Sequence, residues 1–348
     1  AMKKLLTVII VFLSLITATS CSKSSSKKSS TGGTLEVLVA TDSHEQWNGK
    51  IGDTIRSLFA RYIPCLPMPE ESFTPLPILS KTLYENDMYK AHHNIFIVSI
   101  DPKLTKPSIN LERNYWAEPQ LIIHFSCPSD TSFFCLFNQY YPSLYELYRE
   151  VEKDRIQKLF TSNPAKEIIT KLQSKYGIDM LIPGGFTVAR EEENFIWIRQ
   201  TIHRRKQDTE TGFLVYYRPY TDTAQFNGKN IIRTRDSITR KYIPGAVEGS
   251  YMATSVDVIP PQFKRTSKFS TGFAVETRGL WKVVNDFMGG PFISYTFADT
   301  KRQRIVTVEG YLYHPNSEQR KYMLQIESLL NTAKVYDEQE QQNVPTKK

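Results

Sequence analysis

The sequence predicts an α+β fold, with mainly antiparallel sheet and helices packed on one face of the sheet. Three observations lead to this class. Short apolar or alternating segments with the length and composition of strands recur along the chain. Segments with apolar residues at helical spacing lie between them, mostly in the first half. The second half reads as a meander of consecutive strands, which favours antiparallel pairing.

The N-terminal half, residues 34–178, mixes predicted strands with amphipathic helices. Alternating or apolar runs predict strands over 34–40, 94–100 and 119–127. Helical spacing of apolar residues predicts helices over 51–63, 143–160 and 164–176, the last of which ends at Gly177. A further helical stretch, capped by Asp130 or Thr131, is interrupted by Pro142. The proline-rich segment after the first helix is expected to be an extended surface connection.

The C-terminal half, residues 179–335, is predicted to be a meander interrupted by two helices. The runs FTVAR and FIWIRQ form a hairpin around EEEN, and later strands contain GFLVYYRPY, GLW, PFISYTF and RIVTVEGYLYHP. The helices are expected over 230–243 and about 317–335. Residues 336–348 are predicted to be a disordered tail because of their polar composition.

One segment, FAVETRGLWKVVNDFMGGPFISYTF, combines features of a ligand-binding loop and of a tight hairpin. The alternation on both sides of NDFMGG favours two antiparallel strands with a turn between them. Gly289 and Gly290 are expected to supply positive φ in that turn, and Pro291 to start the return strand. Gly279 beside Trp281 predicts a β-bulge or a close approach of another group.

The N-terminus has the organisation of a secretion signal. Lys3 and Lys4 precede an apolar run over 5–16, and small residues follow it. The run is too short to span a hydrocarbon core, which needs about 20 residues. Residues 1–20 are therefore predicted to be a cleaved bacterial signal peptide.

Cys21 directly follows the small residues, and ATSC resembles the lipobox of bacterial lipoproteins, with Ala18 where leucine is usual. The resemblance implies cleavage before Cys21 and its lipidation, palmitate included, which anchors the protein to a membrane. An ordinary cleaved secretory peptide is the alternative. Residues 21–33 then form the lipidated cysteine and a flexible Ser/Gly-rich tether. Ser22, and the lack of an acidic run after the cysteine, favour the outer membrane, facing the periplasm.

Charge and cysteine content exclude some functions. The formal net charge is +8, but five lysines lie in the signal and tether, which leaves +3 for the remainder. A nucleic-acid partner is therefore not expected. Cys65, Cys127 and Cys135 form an odd set; a bridge between the last two is one alternative, and free thiols the other. No spacing of His and Cys predicts a metal, and no motif predicts a cofactor.

Several motifs together are distinctive: IVSIDP, EPQLII, DMLIPGGF, RTRDSITRKYIPG, GSYMAT, ETRGLWKVVNDFMGGPF and VEGYLYHP. With the lipoprotein signal, they resemble an uncharacterised Bacteroidetes lipoprotein family, domain of unknown function 4837. The resemblance covers nearly the whole mature chain and is most specific over 233–315. It implies a cell-envelope lipoprotein, and it transfers no catalytic residue.

Polar residues inside predicted strands are the candidates for chemistry. Glu276 and Arg278 are two residues apart, so their side chains project from the same face of a strand. Glu309 lies in an adjacent strand. Two carboxylates and an arginine at this position can form a catalytic site or a structural ion pair. The secondary candidates, for ligand binding, are Arg235, Asp236, Tyr251 and Trp281.

Two functions follow from these residues. The first is a non-catalytic binding or structural lipoprotein of the periplasm, with an envelope protein or glycan, peptidoglycan included, as partner. The alternative is an envelope glycan or peptidoglycan hydrolase or transferase in which Glu276 and Glu309 divide acid and base roles and Arg278 clamps an anion. The first is favoured because the sequence contains no G-x-S-x-G or H-E-x-x-H motif.

Overall fold

The structure, a computed structural model, describes residues 27–204 and 208–337. The predicted α+β class is confirmed, because these residues form eight α-helices and largely antiparallel sheet. Cys21, the predicted lipidation site, and residues 338–348 of the predicted tail lie outside the described residues. No helix in the described part of the chain is both long enough and apolar enough to cross a membrane.

The first part of the chain builds a mixed five-stranded sheet with the order β3-β2-β4-β7-β5. The first three neighbouring pairs of this sheet are parallel, and β5 is antiparallel to β7. The strands of this part of the chain are β1 (Lys28–Ser29), β2 (Glu36–Thr41), β3 (Thr74–Leu79), β4 (Asn94–Ile100), β5 (Ser108–Arg113), β6 (Ala117–Glu118) and β7 (Leu121–Cys127). Strands β1 and β6 pair with each other outside the five-stranded sheet. The helices are α1 (His44–Asn48), α2 (Lys50–Phe59), α3 (Ser80–Glu85), α4 (Asp87–Lys90) and α5 (Asp130–Thr161).

Several elements of this half differ from prediction. Helices α3 and α4 and strand β5 were not predicted, and the helix expected over 51–63 ends at Phe59. The proline-rich segment is not wholly a connection, since β3 contains Pro75 and Pro77 and pairs with β2 as an edge strand, where a missing N–H is tolerated. Helix α5 does not break at Pro142. Apolar residues on both sides of this proline pack into one core, and that packing outweighs the cost of about 3 kcal/mol of an interior proline. Its N-cap is Ser129, in a capping box, rather than Asp130 or Thr131.

The second part builds an antiparallel sheet of eight strands, in the order β12-β14-β15-β16-β11-β10-β9, with β13 also paired to β14. The remaining strands are β8 (Ile178–Asp179), β9 (Thr187–Glu191), β10 (Phe195–Ile202), β11 (Thr209–Pro219), β12 (Tyr251–Ser255), β13 (Gln262–Thr266), β14 (Ala274–Val284), β15 (Gly289–Asp299), β16 (Arg304–Tyr313) and β17 (Lys334–Val335). The remaining helices are α6 (Lys166–Tyr176), α7 (Gly228–Tyr242) and α8 (Arg320–Leu330). The last helix is thus shorter than predicted, because the chain turns into β17, which pairs with β8.

Helices cover this sheet unequally. Helices α6 and α8 share a buried core with one face, and α7 packs on the opposite face. Helix α6, on the N-terminal side of the sequence-based boundary at 178/179, belongs to the core of this second sheet. Helix α8 also contacts α5, and Leu324 reaches the core of the first sheet. The contact of α5 with α8 therefore joins the two sheets.

The predicted hairpin forms, but its turn differs from prediction. Asn285, with φ of 65°, takes the left-handed conformation, whereas neither Gly289 nor Gly290 has positive φ. These two glycines instead start β15. A Cβ on Gly290 would lie 2.0 Å from the carbonyl oxygen of Leu312, so glycine is required there by close approach. Gly279 also permits a close approach, by the Phe292 ring, in a ladder without a bulge.

The described part of the predicted tether is docked on the first sheet region. Lys28 and Ser29 form β1, which pairs in parallel with β6. The backbone N–H of Thr31 donates to the carbonyl of Ala91, and the N–H of His93 donates to the carbonyl of Thr31. Residues 27–33 therefore lie on the surface of the fold and do not form the flexible tether predicted for them.

Candidate functional site

A cleft of about 760 Å³ opens where the two sheets meet. Its walls are α5 on one side and β13 with the segment that follows it on the other. Residues 61–64, β14 and α8 contribute the rest. Its residues are Arg61–Pro64, Tyr145, Glu146, Arg149, Glu150, Lys153, Asp154, Gln157, Gln262–Phe269, Glu276, Arg278, Tyr295, Glu327 and Asn331. We call this feature the charged cleft.

The floor of the charged cleft is an ion network centred on Glu327. Arg149 of α5 donates through Nη2 to both carboxylate oxygens of Glu327, at 2.7 and 2.6 Å. Arg278 of β14 donates to the same carboxylate at 2.7 Å. Helix α8 thus presents one acid to two arginines, one from each part of the chain.

Glu276 completes this network from the strand that carries Arg278. Its side chain accepts from Arg278 Nε at 2.6 Å and from the Tyr295 hydroxyl at 3.2 Å. The prediction that Glu276 and Arg278 project from one face is therefore confirmed. Every donor to these carboxylates is a side chain held by regular structure, so the network is fixed from several sides.

Electrostatics keep Glu327 and Arg278 ionised. Burial alone would raise the pKa of Glu327, but the attraction of Arg149, Arg278 and Lys153 outweighs burial and holds that pKa well below its usual range. Burial would likewise lower the pKa of Arg278, yet Glu327 and Glu276 raise it. A carboxylate held ionised in this way is a poor general acid, because it releases no proton at neutral pH.

The rim of the charged cleft carries cations that the network does not neutralise. Lys264, Arg265 and Lys268 are exposed, and they have no ion-pair partner among the described residues. Arg61 stacks on the Tyr145 ring, 4.2 Å from its centroid, and it too has no acidic partner in the part of the chain that the structure describes. The opposing wall, on α5, carries Glu146, Glu150 and Asp154. Glu150 pairs with Lys153 at 2.9 Å, which leaves Glu146 and Asp154 outside the ion pairs of the cleft.

Glu309 lies elsewhere, in a closed buried pair with Arg235. The Nε of Arg235 is 3.0 Å from both oxygens of Glu309, and its Nη2 is 2.7 Å from one of them. Arg235 also lies over the Phe292 ring, 4.0 Å from its centroid. Both residues are almost completely inaccessible, at 1% and 0% exposed. The pair therefore joins α7 to the sheet and offers no surface to a ligand.

The strand register separates the two candidate carboxylates. Glu276 lies opposite Tyr295, which lies opposite Val308, so Glu276 shares a face with Val308. Glu309 is the next residue along β16 and projects from the other face. The paired-carboxylate site expected as one alternative is therefore not formed.

The other candidates divide between structural contacts and the surface. Asp236 accepts from the backbone and side chain of Thr254, at 2.8 and 2.6 Å. Trp281 is 2% exposed and donates to the carbonyl of Leu312, so it belongs to the core. Tyr251 is half-buried, with the Arg240 guanidinium 5.0 Å from its ring centroid. Neither Asp236 nor Tyr251 lines the charged cleft.

The cysteines of the described residues are all free. Cys65 and Cys127 are buried, Cys135 is exposed, and the bridge considered between Cys127 and Cys135 is absent. Burial raises the pKa of the Cys127 thiol, so it is not activated as a nucleophile. In residues 27–204 and 208–337, no three His, Cys, Asp or Glu side chains gather in a way that could hold a metal ion.

Sequence reasoning missed the residue at the centre of the network. Glu327 lies in an amphipathic helix, where an acidic residue is normally assigned to the solvent-facing side. Arg149 in α5 is assigned to the solvent-facing side for the same reason. A signal was present, since Glu327 lies one residue after Ile326 and two before Leu329 on the apolar side of α8. An acid flanked in this way is a candidate for a buried ion pair.

Two family models match the chain. Residues 165–332 match the family described as Domain of unknown function (DUF4837), which supports the predicted family for that part of the chain. Residues 30–161 match another, described as Domain of unknown function (DUF8532). The two matches meet between α5 and α6. No curated protein matches the chain.

Solved structures resemble part of the chain at low similarity. A point mutant of the protein Mog1 aligns with a TM-score of 0.30 and 11% identity, over 47% of this chain and 93% of that one. The Saccharomyces cerevisiae Ran-binding protein Mog1p aligns with a TM-score of 0.30 and 9% identity, over 46% and 91%. A TM-score of 0.30 is too low to support an inference about this chain.

Proposed function

We propose that this protein, whose C-terminal part matches a domain of unknown function, is a lipid-anchored envelope lipoprotein that binds an envelope component without transforming it. The anchor is the lipidated Cys21, and the protein lies at the outer membrane, facing the periplasm. The support for this location is the signal-like N-terminus, ATSC and the resemblance to Bacteroidetes lipoproteins. The folded part is the binding module.

The observation that supports the binding function is that the buried acids of the charged cleft are paired while the cations of its rim are not. Glu276 and Glu327 are committed to arginines, whereas the rim cations face solvent. A general acid or base needs a carboxylate that can exchange a proton near neutral pH, and Glu327 is held ionised. A cleft with fixed acids and free cations is suited to holding a ligand.

Catalysis by Glu276 and Glu309 has no support in this arrangement. The two carboxylates project from opposite faces of the sheet, and Glu309 is completely buried. They cannot flank one substrate bond, which a pair of catalytic carboxylates must do. The hydrolase or transferase alternative is therefore not retained for these residues.

The anchor is tested by growing cells with an alkyne-bearing palmitate analogue. We expect the label on the wild-type protein and its loss in Cys21→Ala, which should also accumulate as the uncleaved precursor. Cys135→Ala is the matched control, because Cys135 is an exposed thiol. Label that persists in Cys21→Ala, or normal cleavage of that variant, contradicts the proposal.

A further inference from the structure

We propose that the charged cleft binds an anionic saccharide, that is, a glycan bearing carboxylate or phosphate groups. This inference rests on the proposed function and adds the ligand class. It starts from the charge of the cleft. Arg61, Lys264, Arg265 and Lys268 have no acidic partner among the described residues. Of the three acids on the facing α5 wall, Glu150 is paired with Lys153 at 2.9 Å, which leaves Glu146 and Asp154. The cleft therefore has an excess of positive charge beyond its internally neutralised floor.

Strand register directs one of these cations into the cleft. Lys264 lies directly opposite Glu276 in the antiparallel pair of β13 and β14. Residues opposite each other in such a pair project from the same face, so Lys264 lies on the side of the network. Its ammonium is free to meet a ligand anion, because Glu276 is already bound by Arg278 and Tyr295.

The ion network at the floor does not neutralise the cations of the rim. Glu327 and Glu276 remain on their arginines, so neither can rotate to capture a rim lysine without breaking a buried ion pair. Breaking such a pair is strongly unfavourable. The rim cations are therefore held available, and a cleft with an excess of one sign of charge attracts ligands of the opposite sign.

The remaining groups of the cleft suit a saccharide. Tyr62 and Phe263 are 65% and 43% exposed and present aromatic rings at the rim, whereas the ring of Tyr145 is buried beneath Arg61. Gln262 and Ser267 are exposed, with side chains that donate and accept hydrogen bonds. A volume of about 760 Å³ lies within the usual range of ligand sites, but the lining is mostly polar rather than apolar. Polar groups with a few rings fit a sugar that carries charge.

The test measures binding of the full protein, purified in non-ionic detergent, to two charged polysaccharides. The carboxylate probe is polygalacturonate, with its fully methyl-esterified form as the uncharged control. The phosphate probe is phosphomannan, with unphosphorylated mannan as its control. We expect binding to at least one charged probe, at least tenfold tighter than to its control. The probe that binds identifies the source of the anion.

The residues are tested with Lys264→Gln combined with Lys268→Gln. We expect this double variant to weaken binding to the charged probe by tenfold or more, since each charged hydrogen bond contributes substantially. Lys229→Gln is the matched control, an exposed lysine on α7 across the sheet, and it should change binding less than twofold. All three lysines are exposed, so thermal unfolding should be unchanged.

Four results overturn the inference: no binding to either charged probe, equal binding to charged and uncharged forms, equal loss in the control variant, or equally tight binding of poly-glutamate. The last would assign the cleft to acidic peptides or to polyanions in general. A negative result with all saccharides, in a protein whose Cys21 still takes the palmitate label and remains membrane-bound, rejects the ligand class and leaves the anchor intact.

Discussion

Arg149 and Glu327 meet across the junction of the two sheets, with 2.6 Å between Nη2 and Oε2. Arg149 belongs to the helix that covers the first sheet, and Glu327 to the helix that covers the second. The contact therefore couples the two parts of the fold at the floor of the charged cleft. Arg278 binds the same carboxylate, so Glu327 lies between two guanidinium groups. Among the described contacts, no other acid is paired with both arginines.

Removal of this charge should destabilise the whole fold. In Glu327→Gln, Arg149 and Arg278 remain buried without their shared counter-charge, and we expect a loss of about 3 kcal/mol in the free energy of unfolding. Urea unfolding measures it. Glu318→Gln removes a half-exposed acid paired with Arg320, and it should cost less than about 1 kcal/mol. Equal losses in the two variants would show that the ion network stabilises the fold no more than a surface ion pair does.

The pair of Arg235 and Glu309 should behave as a closed structural unit. Glu309→Leu leaves a buried arginine unpaired, and we expect a loss of about 3–5 kcal/mol in unfolding free energy. Arg235→Leu together with Glu309→Leu should recover much of that loss, because an apolar pair fills the same buried space. Additive losses in this double-mutant cycle would contradict a direct pair.

A substitution at the turn of the hairpin should not lower stability, whereas a substitution at the start of its second strand should lower it. Asn285→Gly should be neutral or slightly stabilising, since φ is 65° and glycine adopts that conformation without strain. Gly290→Ala should destabilise by more than about 2 kcal/mol, because its Cβ would overlap the carbonyl of Leu312. Thermal unfolding of both variants distinguishes a turn at Asn285 from the turn predicted at Gly289 and Gly290. With the predicted turn, Gly290→Ala would destabilise the protein by less than the value given above.

His93 should make the protein sensitive to acid. Burial, then the nearby Arg155 and His92, lower its pKa from 6.5 to about 3 in the folded state. Below pH 6.5 the unfolded chain takes up a proton that the folded chain does not, so stability falls as the pH falls toward 3.

The measurement compares wild type with His93→Gln. The drop in unfolding free energy between pH 7 and pH 5 should be smaller in the variant by about 2 kcal/mol. Glu152, 3.4 Å from His93 Nε2, and Glu36, 3.9 Å from His92 Nε2, face these histidines and are present in both proteins. His203→Gln, at an exposed histidine, should keep the wild-type drop. An unchanged drop in His93→Gln would contradict the assignment.

Much of the fold could be predicted from the sequence because its signals are local. Periodicity located β4, β7, α6 and α7, and Gly177, with φ of 61°, ends α6 as predicted. The short strand β5 was missed because it is largely exposed and its alternation is limited to two apolar residues, Ile109 and Leu111. Pro142 was read as a break because its local cost is visible in the sequence, whereas the core that compensates for it is not.

The candidate site was only partly predictable, for a geometric reason. The spacing of Glu276 and Arg278 determines that they share a face, and the structure places both in the cleft. Whether Glu309 joins them depends on the register of three strands, and a shift of one residue reverses the face. Arg149 and Glu327 come from helices far apart in the chain, so only tertiary structure shows their contact.

The most direct test of the binding function is photo-crosslinking in living cells from a reactive residue placed at Tyr62, on the rim of the charged cleft. The same residue placed at Lys229, on the far side of the sheet, is the control. We predict a reproducible adduct with an envelope component from position 62 and none from position 229. The absence of any adduct from position 62, or the same adduct from both positions, would contradict a binding cleft at the junction of the two sheets.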